Sequence, residues 1–328
     1  MSELTFRALR ALADGRFHSG EDVARALGRS RATLSEALKL APDLGVELFS
    51  VRGKGYRLAA PIEFLEAAAI QARLAAEGSR VRLQVVDQVD STSTRLLELA
   101  ASGAPSGTCL AAEWQSAGRG RRGRHWIATL GGSLTFSLLW RFDRGAGHLG
   151  GLSLASGVAV ARALAECGLE RVQVKWPNDV VTELRKLAGV LVETNGEIQG
   201  PTVAVVGVGV NYRLGEPAME RIDQPVADVA ACASPAPSRS ALLASLLSHL
   251  GRALDDFERH GFAGVRDEWR RLHAYQGREV RVVPPRDPPY DARVTDVAPD
   301  GALVVQTADG RTLALASAEI SLRPRGAA

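Results

Sequence analysis

Arginine and glycine alternate over one short stretch: Gln115, Ser116, Ala117, Gly118, Arg119, Gly120, Arg121, Arg122, Gly123, Arg124, His125, Trp126. A guanidinium pairs with a carboxylate or phosphate through parallel N–H donors, so this composition suits an anion. The glycines leave the backbone free to fold over what the arginines hold. The expected device is a flexible loop that clamps phosphate or carboxylate. Gly118, Gly120 and Gly123 also match the GxGxxG spacing, but a dinucleotide site needs a strand before that motif and a helix after it. The next segment, Leu134 to Trp140, reads as a strand instead. Two plainer readings stand beside the clamp: a solvated basic loop, or an RNA-binding Arg-Gly-Gly segment. Such tracts usually repeat in disordered chain, whereas this one is single and flanked by strands.

Other polar groups could complete a site. Asp90-Ser91-Thr92-Ser93 stands between a strand-like run, Val81 to Val86, and a helix through Leu96, Leu97 and Leu99. Hydroxyls at such a junction cap the helix or present donors to a polar ligand. Val172 to Lys175 reads as a strand that Trp176-Pro177-Asn178-Asp179 ends, with Pro177 as breaker and Asn178-Asp179 as turn residues. Arg185-Lys186-Leu187-Ala188-Gly189 then opens another strand, which sets one cation beside a gap where a ligand can approach the backbone. For a lysine taken alone, a strand-edge position is explanation enough. Val203 to Val210 contains Gly207 and Gly209 and runs into Asn211. Glycines weaken a central strand unless something must pack close to it.

The chain that positions these groups has 328 residues, 46% hydrophobic and 23% charged, with a formal net charge of +3. Its length fits two or three domains. The charge is too small for wholesale nucleic-acid binding, so any such contact must be local. Cys109, Cys167 and Cys232 are scattered and never in CxxC spacing, which argues against a disulfide scaffold or zinc finger and for a reducing compartment. The N-terminus has no basic start followed by a pure apolar run, and no stretch reaches about 18 apolar residues. A cytoplasmic protein with no signal peptide and no membrane contact is expected.

The first sixty residues read as a separate head. Leu4, Leu9 and Leu12 mark a short helix ended by Asp14-Gly15. Ser19 with Asp22 suggests a capping box for a second helix from Gly20 to near Gly28, and Ser30 caps a third from Arg31 to Leu40. Val46 to Val51 and Tyr56 to Leu58 flank Arg52-Gly53-Lys54-Gly55 as a hairpin. Helix, helix, helix and basic-tipped hairpin is the order of a winged helix-turn-helix. Arg31, Thr33, Ser35, Lys39, Arg52 and Lys54 are the candidate DNA contacts. A protein-interaction module is the other use of this arrangement. Ala59-Ala60-Pro61 is a hinge into a connecting helix, Glu63 to Ala76. Later helices are expected over Gly151 to Cys167, Ser240 to His260 and Phe262 to His273, with Ala230 to Ser240 as a loop. The tail turns to short strands: Val280 to Val283, Ala292 to Val297, Ala302 to Gln306, Thr312 to Leu315 and Ile320 to Arg323, with hairpin signals at Asp300-Gly301 and Asp309-Gly310.

Taken together, the segments Asp90 to Ser93, Gln115 to Trp126, Lys175 to Val180, Arg185 to Glu193 and Gly207 to Asn211 resemble the biotin–protein ligase family, in its long bacterial form with a repressor head. The likeness covers nearly the whole chain, and the combination of GRGRRGR, KWPND and RKLAGVL is specific. The resemblance implies an α/β multi-domain fold: a winged helix-turn-helix over 1–60, a connecting helix over 61–79, a mixed-sheet ligase domain over 80–274 and an SH3-like barrel over 275–328. It implies that biotin and ATP form biotinyl-5′-adenylate, with Mg²⁺ arriving on the ATP rather than in a protein metal site. A lysine of the biotin carboxyl carrier domain of acetyl-CoA carboxylase then takes the biotinyl group. Operator DNA and an adenylate-bound homodimer are the other implied partners.

By the same resemblance, Ser91, Thr92, Ser93, Gln115, Gly118, Arg119, Gly120, Arg121, Lys186 and Gly189 bind biotin. Arg119, Arg121, Arg122, Trp126, Asn178, Lys186 and Asn211 bind ATP or the adenylate. Lys186, Arg121 and Asp179 are the implied catalytic groups, Asp179 facing the incoming carrier lysine. Ser93 stands where the family often has asparagine, and His125 replaces a frequent basic residue. Ile222-Asp223-Gln224-Pro225-Val226 offers no aromatic ring to stack on adenine. A biotin-sensing transcription factor without catalysis would be expected to lack Arg121 or Lys186, and both are present. A lipoate ligase is disfavoured by the RKLAGVL and GRGRRGR pair.

Overall fold

The computed structural model describes residues 2–196, 200–284, 288–316 and 321–324. Three helices open the chain: α1 (Glu3–Ala11), α2 (Gly20–Ala26) and α3 (Arg31–Leu38). Each begins at a serine, Ser2, Ser19 or Ser30, whose hydroxyl accepts a backbone N–H of the first turn. β1 (Leu48–Val51) and β2 (Gly55–Leu58) form an antiparallel hairpin with Arg52 and Lys54 exposed at its tip. Phe6, Leu9, Leu12, Leu34, Leu38, Tyr56 and Leu58 pack beneath it. Leu130, from far along the chain, completes this core, and its N–H donates to the Leu44 carbonyl at 2.9 Å.

The connecting helix is shorter than expected. α4 spans Ala67–Ala76, and residues 63–66 stay non-helical. Their backbone groups are engaged elsewhere: Leu65 N–H donates to Glu113, and Arg239 donates to the Glu63 carbonyl. Glu113 and Arg239 form a fully buried ion pair at 2.8 Å. With the Arg239 bond to the Ser133 carbonyl, this network ties the connector to the body.

The body contains β3 (Arg82–Val89), α5 (Thr92–Ala101), β4 (Thr108–Gln115), β5 (Ser133–Phe142), α6 (Leu152–Glu166), β6 (Val172–Lys175), β7 (Asp179–Thr182), β8 (Arg185–Gly196) and β9 (Thr202–Asn211). Their sheet runs β3-β4-β5-β9-β8-β7-β6, with β3 and β4 parallel and the other pairs antiparallel. Alternation divides its faces. Leu134, Phe136, Leu138 and Trp140 of β5 join Ala204, Val206, Val208 and Val210 of β9 in the main core with α4, α6 and α9 (Arg239–His260). Leu139 and Val205 face the other way, under Leu96 of α5.

Two short helices, α7 (Glu216–Met219) and α8 (Val229–Cys232), precede α9, the latter in a stretch expected to be loop. After α9 the chain makes a 3-10 turn, Gly261–Gly264, and α10 occupies only Arg266–Leu272, so the expected helix from Phe262 begins late. β10 (Glu279–Val283), β11 (Tyr290–Val297), β12 (Leu303–Thr307), β13 (Thr312–Leu315) and β14 (Ser321–Pro324) make a five-stranded antiparallel sheet in the order β13-β12-β11-β10-β14. Ile320, expected in the last strand, lies outside the described residues. Among the described residues, no helix is long and apolar enough to cross a membrane.

Trp176 joins the tail to the body. Its indole N–H donates to the Gly301 carbonyl at 3.1 Å, and its backbone N–H donates to His273 Nε2 at 3.4 Å. His273 stacks on Trp269 with ring centroids 4.4 Å apart. Because Nε2 accepts, the imidazole is neutral, and burial pulls its pKa from 6.5 to about 3. The unfolded chain therefore binds this proton first, and stability present above pH 6.5 is lost as pH falls toward 3. Urea denaturation across that range should show His273→Phe losing less stability than the parent, the difference approaching about 1.4 kcal/mol per pH unit. Equal slopes for the two proteins would refute this burden on His273.

Candidate active site

The side of the sheet under α5 has almost no large side chains near the ends of its central strands. Thr135 pairs with Gly209 and Gly209 with Gly189; one step along, Ser137 pairs with Gly207 and Gly207 with Leu191. These two rows form the floor of a cavity of about 480 Å³. Room above the glycines is used at once. A Cβ on Gly209 would meet Trp126 Cε2 at 2.4 Å, and one on Gly207 would meet Ser93 Oγ at 2.6 Å.

One wall is the first turn of α5. Ser91 caps it, its hydroxyl accepting the Thr94 N–H. The Thr92 N–H donates to Gln115 Oε1 at 2.7 Å, fixing that amide at the end of β4. Thr92 Oγ1 and Ser93 Oγ lie 2.7 and 2.9 Å from Ser137 Oγ. Ser91, Thr92, Ser93 and Gln115 are all buried, so an array of hydroxyl and amide groups is held away from bulk water.

The arginine loop forms the opposite rim as a small hairpin. Trp126 N–H donates to the Gly118 carbonyl at 2.9 Å, and Gly120 N–H to the Arg124 carbonyl at 2.7 Å. Arg121–Gly123 make a 3-10 turn at its tip, with Arg122 and Gly123 at positive φ. Arg119 pairs with Glu193 of β8 at 2.7 Å. Arg121 donates to Asn178 Oδ1 at 3.3 Å, and Asn178 is itself fixed by its Nδ2 bond to the Val190 carbonyl. Burial and the neighbouring Arg122 pull the Arg121 pKa below its ordinary value, while Asp179 opposes them. An arriving anion would relieve both penalties.

Lys186 and Asp179 meet at the centre. The Lys186 ammonium lies 2.8 Å from Asp179 Oδ1 and 5.5 Å from the Trp126 ring centroid. A bulge between Val180 and Val181 shifts the register so that Asp179 pairs with Gly189 and Val181 with Lys186. Asn211 Nδ2 donates to the Lys186 and Ala227 carbonyls at 3.0 and 3.2 Å, bracing the backbone of Lys186.

Sequence reasoning and geometry agree on most of the lining: every expected biotin, nucleotide and catalytic residue borders the cavity except Gly118. Gly118 sits at the base of the hairpin, where a Cβ would meet the Trp126 carbonyl at 2.7 Å. Asn211 lines the cavity, but its amide nitrogen is committed to the backbone, so it holds Lys186 in place. Ser137, Thr135 and Leu191 were missed. Ser137 and Thr135 were findable, since they alternate with Leu134, Phe136 and Leu138 along one strand. Ile222, Asp223, Gln224 and Val226 close the far end without an aromatic ring.

Known proteins resemble this chain. Residues 85–211 match the Biotin/lipoate A/B protein ligase family, and residues 275–323 match the Biotin protein ligase C terminal domain. The bifunctional ligase/repressor BirA of Escherichia coli strain K12 is 37% identical over 281 residues, covering 84% of each chain. The chain belongs to the biotin protein ligase family. The biotin--[acetyl-CoA-carboxylase] ligase of Mycobacterium tuberculosis is 33% identical over 267 residues, 78% of this chain and 95% of that one. The Aquifex aeolicus biotin protein ligase, solved with biotin and ATP, superposes with a TM-score of 0.61 at 27% identity, over 74% of this chain and 99% of its own.

Because Gly209 supports Trp126, which in turn lies beside Lys186, Gly209→Ala should displace the ring and weaken biotin binding by roughly tenfold, a typical overpacking cost. Calorimetric titration with biotin checks this, with circular dichroism as the folding control. Parental affinity in a folded variant would show that Trp126 can move at no cost.

Proposed function

We propose that this chain activates biotin with ATP as biotinyl-5′-AMP and transfers the biotinyl group to a lysine of the carrier domain of acetyl-CoA carboxylase. The carrying observation is the Lys186 ammonium, braced on Asp179 and flanked by Arg121, above a cleared sheet floor. The ureido head of biotin suits the hydroxyl and amide array of Ser91, Thr92, Ser93 and Gln115. Its carboxylate then points toward Lys186. One carboxylate oxygen attacks the α-phosphorus of ATP, and the bond to the bridging oxygen breaks to release pyrophosphate. Lys186 and Arg121 supply fixed positive charge where negative charge grows, which needs no rearrangement at the moment of reaction. In the second step the neutral carrier amine attacks the acyl carbon and AMP leaves. Asp179, freed when Lys186 turns to the phosphate, can orient that amine and accept its proton.

The arginine hairpin covers the anhydride and limits its hydrolysis. Among the described residues, no group of three or more His, Cys, Asp or Glu side chains could hold a metal ion. Mg²⁺ would come with the triphosphate and offset phosphate charge, with Asp179 and Asp223 as the carboxylates of the cavity lining that would hold its water shell.

The head supports a second role, as a repressor that binds operator DNA. Its three capped helices and hairpin fit a winged helix-turn-helix, with α3 as the recognition helix. Arg31 and Thr33 are exposed on it and Lys39 just past its end, although Thr33 is bonded to Ser30 and Lys39 is paired with Glu36. On this reading, 1–60 serves DNA binding, 61–79 connection, 80–274 ligation and 275–328 an SH3-like tail.

Lys186→Ala should reduce biotin-dependent pyrophosphate exchange by about 100- to 1,000-fold, the usual loss when one transition-state charge partner is removed. Exchange at the parental rate would remove Lys186 from the chemistry.

A further inference from the structure

The hairpin of the head has an outer face that neither the ligase site nor α3 accounts for. Register places Leu48, Leu58, Ser50 and Tyr56 on one face and Phe49, Arg57 and Val51 on the other. Tyr56 and Leu58 are buried, so the second face looks outward. Phe17, Phe49 and Val51 are 38%, 36% and 40% exposed, and Met219 is the one other large hydrophobic of comparable exposure among the described residues. The exposed apolar surface is thus gathered at one place, which marks an interaction surface rather than scatter.

A cation is set into it. The Arg57 guanidinium carbon lies 5.1 Å from the Phe17 ring centroid and 5.1 Å from that of Phe49. Lys54 Nζ lies 5.8 Å from the Phe17 centroid, and Arg52 is exposed in the turn between. Arg57 Nε is buried with no hydrogen-bond partner, and no carboxylate pairs with this guanidinium among the described residues. By contrast, Arg25 of the same head is paired with both Glu21 and Asp22. No acidic residue occurs between Leu48 and Leu58. Asp14 is already bonded to His18 and to the Arg16 N–H.

We infer that Arg57, gripped between Phe17 and Phe49, is a phosphate-binding group of the head for duplex DNA, on the outer face of the hairpin. The rings fix the guanidinium and strip water from beside it, which strengthens an ionic hydrogen bond to a phosphate oxygen. Lys54 and Arg52 extend the positive strip to the hairpin tip, matching a run of phosphates. Contacts of this kind set register on the duplex and do not read its bases. The inference rests on the reading of the head as a DNA-binding unit.

The test uses the full chain and a random-sequence duplex of about 30 base pairs, titrated with salt from about 50 mM upward. Arg57→Ala should lower affinity about tenfold at the lowest salt and reduce the slope of log K against log salt by about 1. Arg57→Gln should do the same should the alanine variant melt early. Arg57→Lys should restore the slope and only part of the affinity, because an ammonium lacks the planar fork. A structural role alone would lower the melting temperature and leave the slope unchanged. If both neutral variants keep the parental slope while Arg31→Ala weakens binding, the inference fails and the DNA-binding reading stands. If the parent does not bind the duplex, both fail. If polyglutamate binds as tightly as DNA at equal salt and is lost equally in Arg57→Gln, the face belongs to an acidic protein and the inference falls.

Discussion

Trp126 rests on Gly209, and that contact is possible only because Gly209 and its strand partner Gly189 have no side chain. Gly189 pairs with Gly209 across β8 and β9, Gly207 pairs with Leu191 two residues along, and each glycine is approached within 3.4 Å of where a Cβ would stand. Glycine in a central strand costs stability, since it adds chain entropy and nothing to pack. Here the vacated space receives the indole of Trp126 and the hydroxyl of Ser93. The remaining volume is the cavity. Remove that clearance and the loop cannot come down, Lys186 loses the ring beside it, and the polar array of α5 is pushed off the floor.

Electrostatics follow from this geometry. Lys186 and Arg121 approach the same region from different elements, a strand and a loop hairpin. Asp179 and Asn178, adjacent on one turn, hold one each. Two cations brought to one cavity favour an anionic ligand there. The carboxylate and the triphosphate of the two substrates supply that charge. Binding would then exchange protein–protein contacts for protein–substrate contacts at a preformed site, with Asp179 released for the acceptor step. Trp176, one turn away, transmits support from the tail, because its two N–H groups end on Gly301 and His273.

Much of this was legible from residue types. The arginine hairpin, the α5 hydroxyls, Lys186 and the glycine strand were identified because their chemistry is unusual for the structural positions they occupy. Alternation with Leu134, Phe136 and Leu138 puts Ser137 on the face opposite the core, but its meeting with Thr92 and Ser93 depends on the placement of α5, which local sequence does not encode. Gly118 shows the opposite case: its motif is conspicuous, but it stands off the cavity lining, where its lack of a side chain admits the Trp126 carbonyl. The start of α4 could not be read either. Residues 63–66 have good helical composition, and what stops them is a buried ion pair formed by Glu113 and Arg239, distant in sequence. Long-range contacts of that kind override local propensity.

The central claim is that Lys186 leaves Asp179 for the acyl phosphate while the arginine hairpin stays closed over it. A crystal structure with a non-hydrolysable biotinyl-adenylate analogue tests this directly. The account predicts the Lys186 ammonium within hydrogen-bonding distance of the analogue's phosphate-mimicking oxygens, Trp126 still on Gly209, and Asp179 turned toward solvent. An ammonium that remains on Asp179, with the hairpin lifted from the floor, would contradict it.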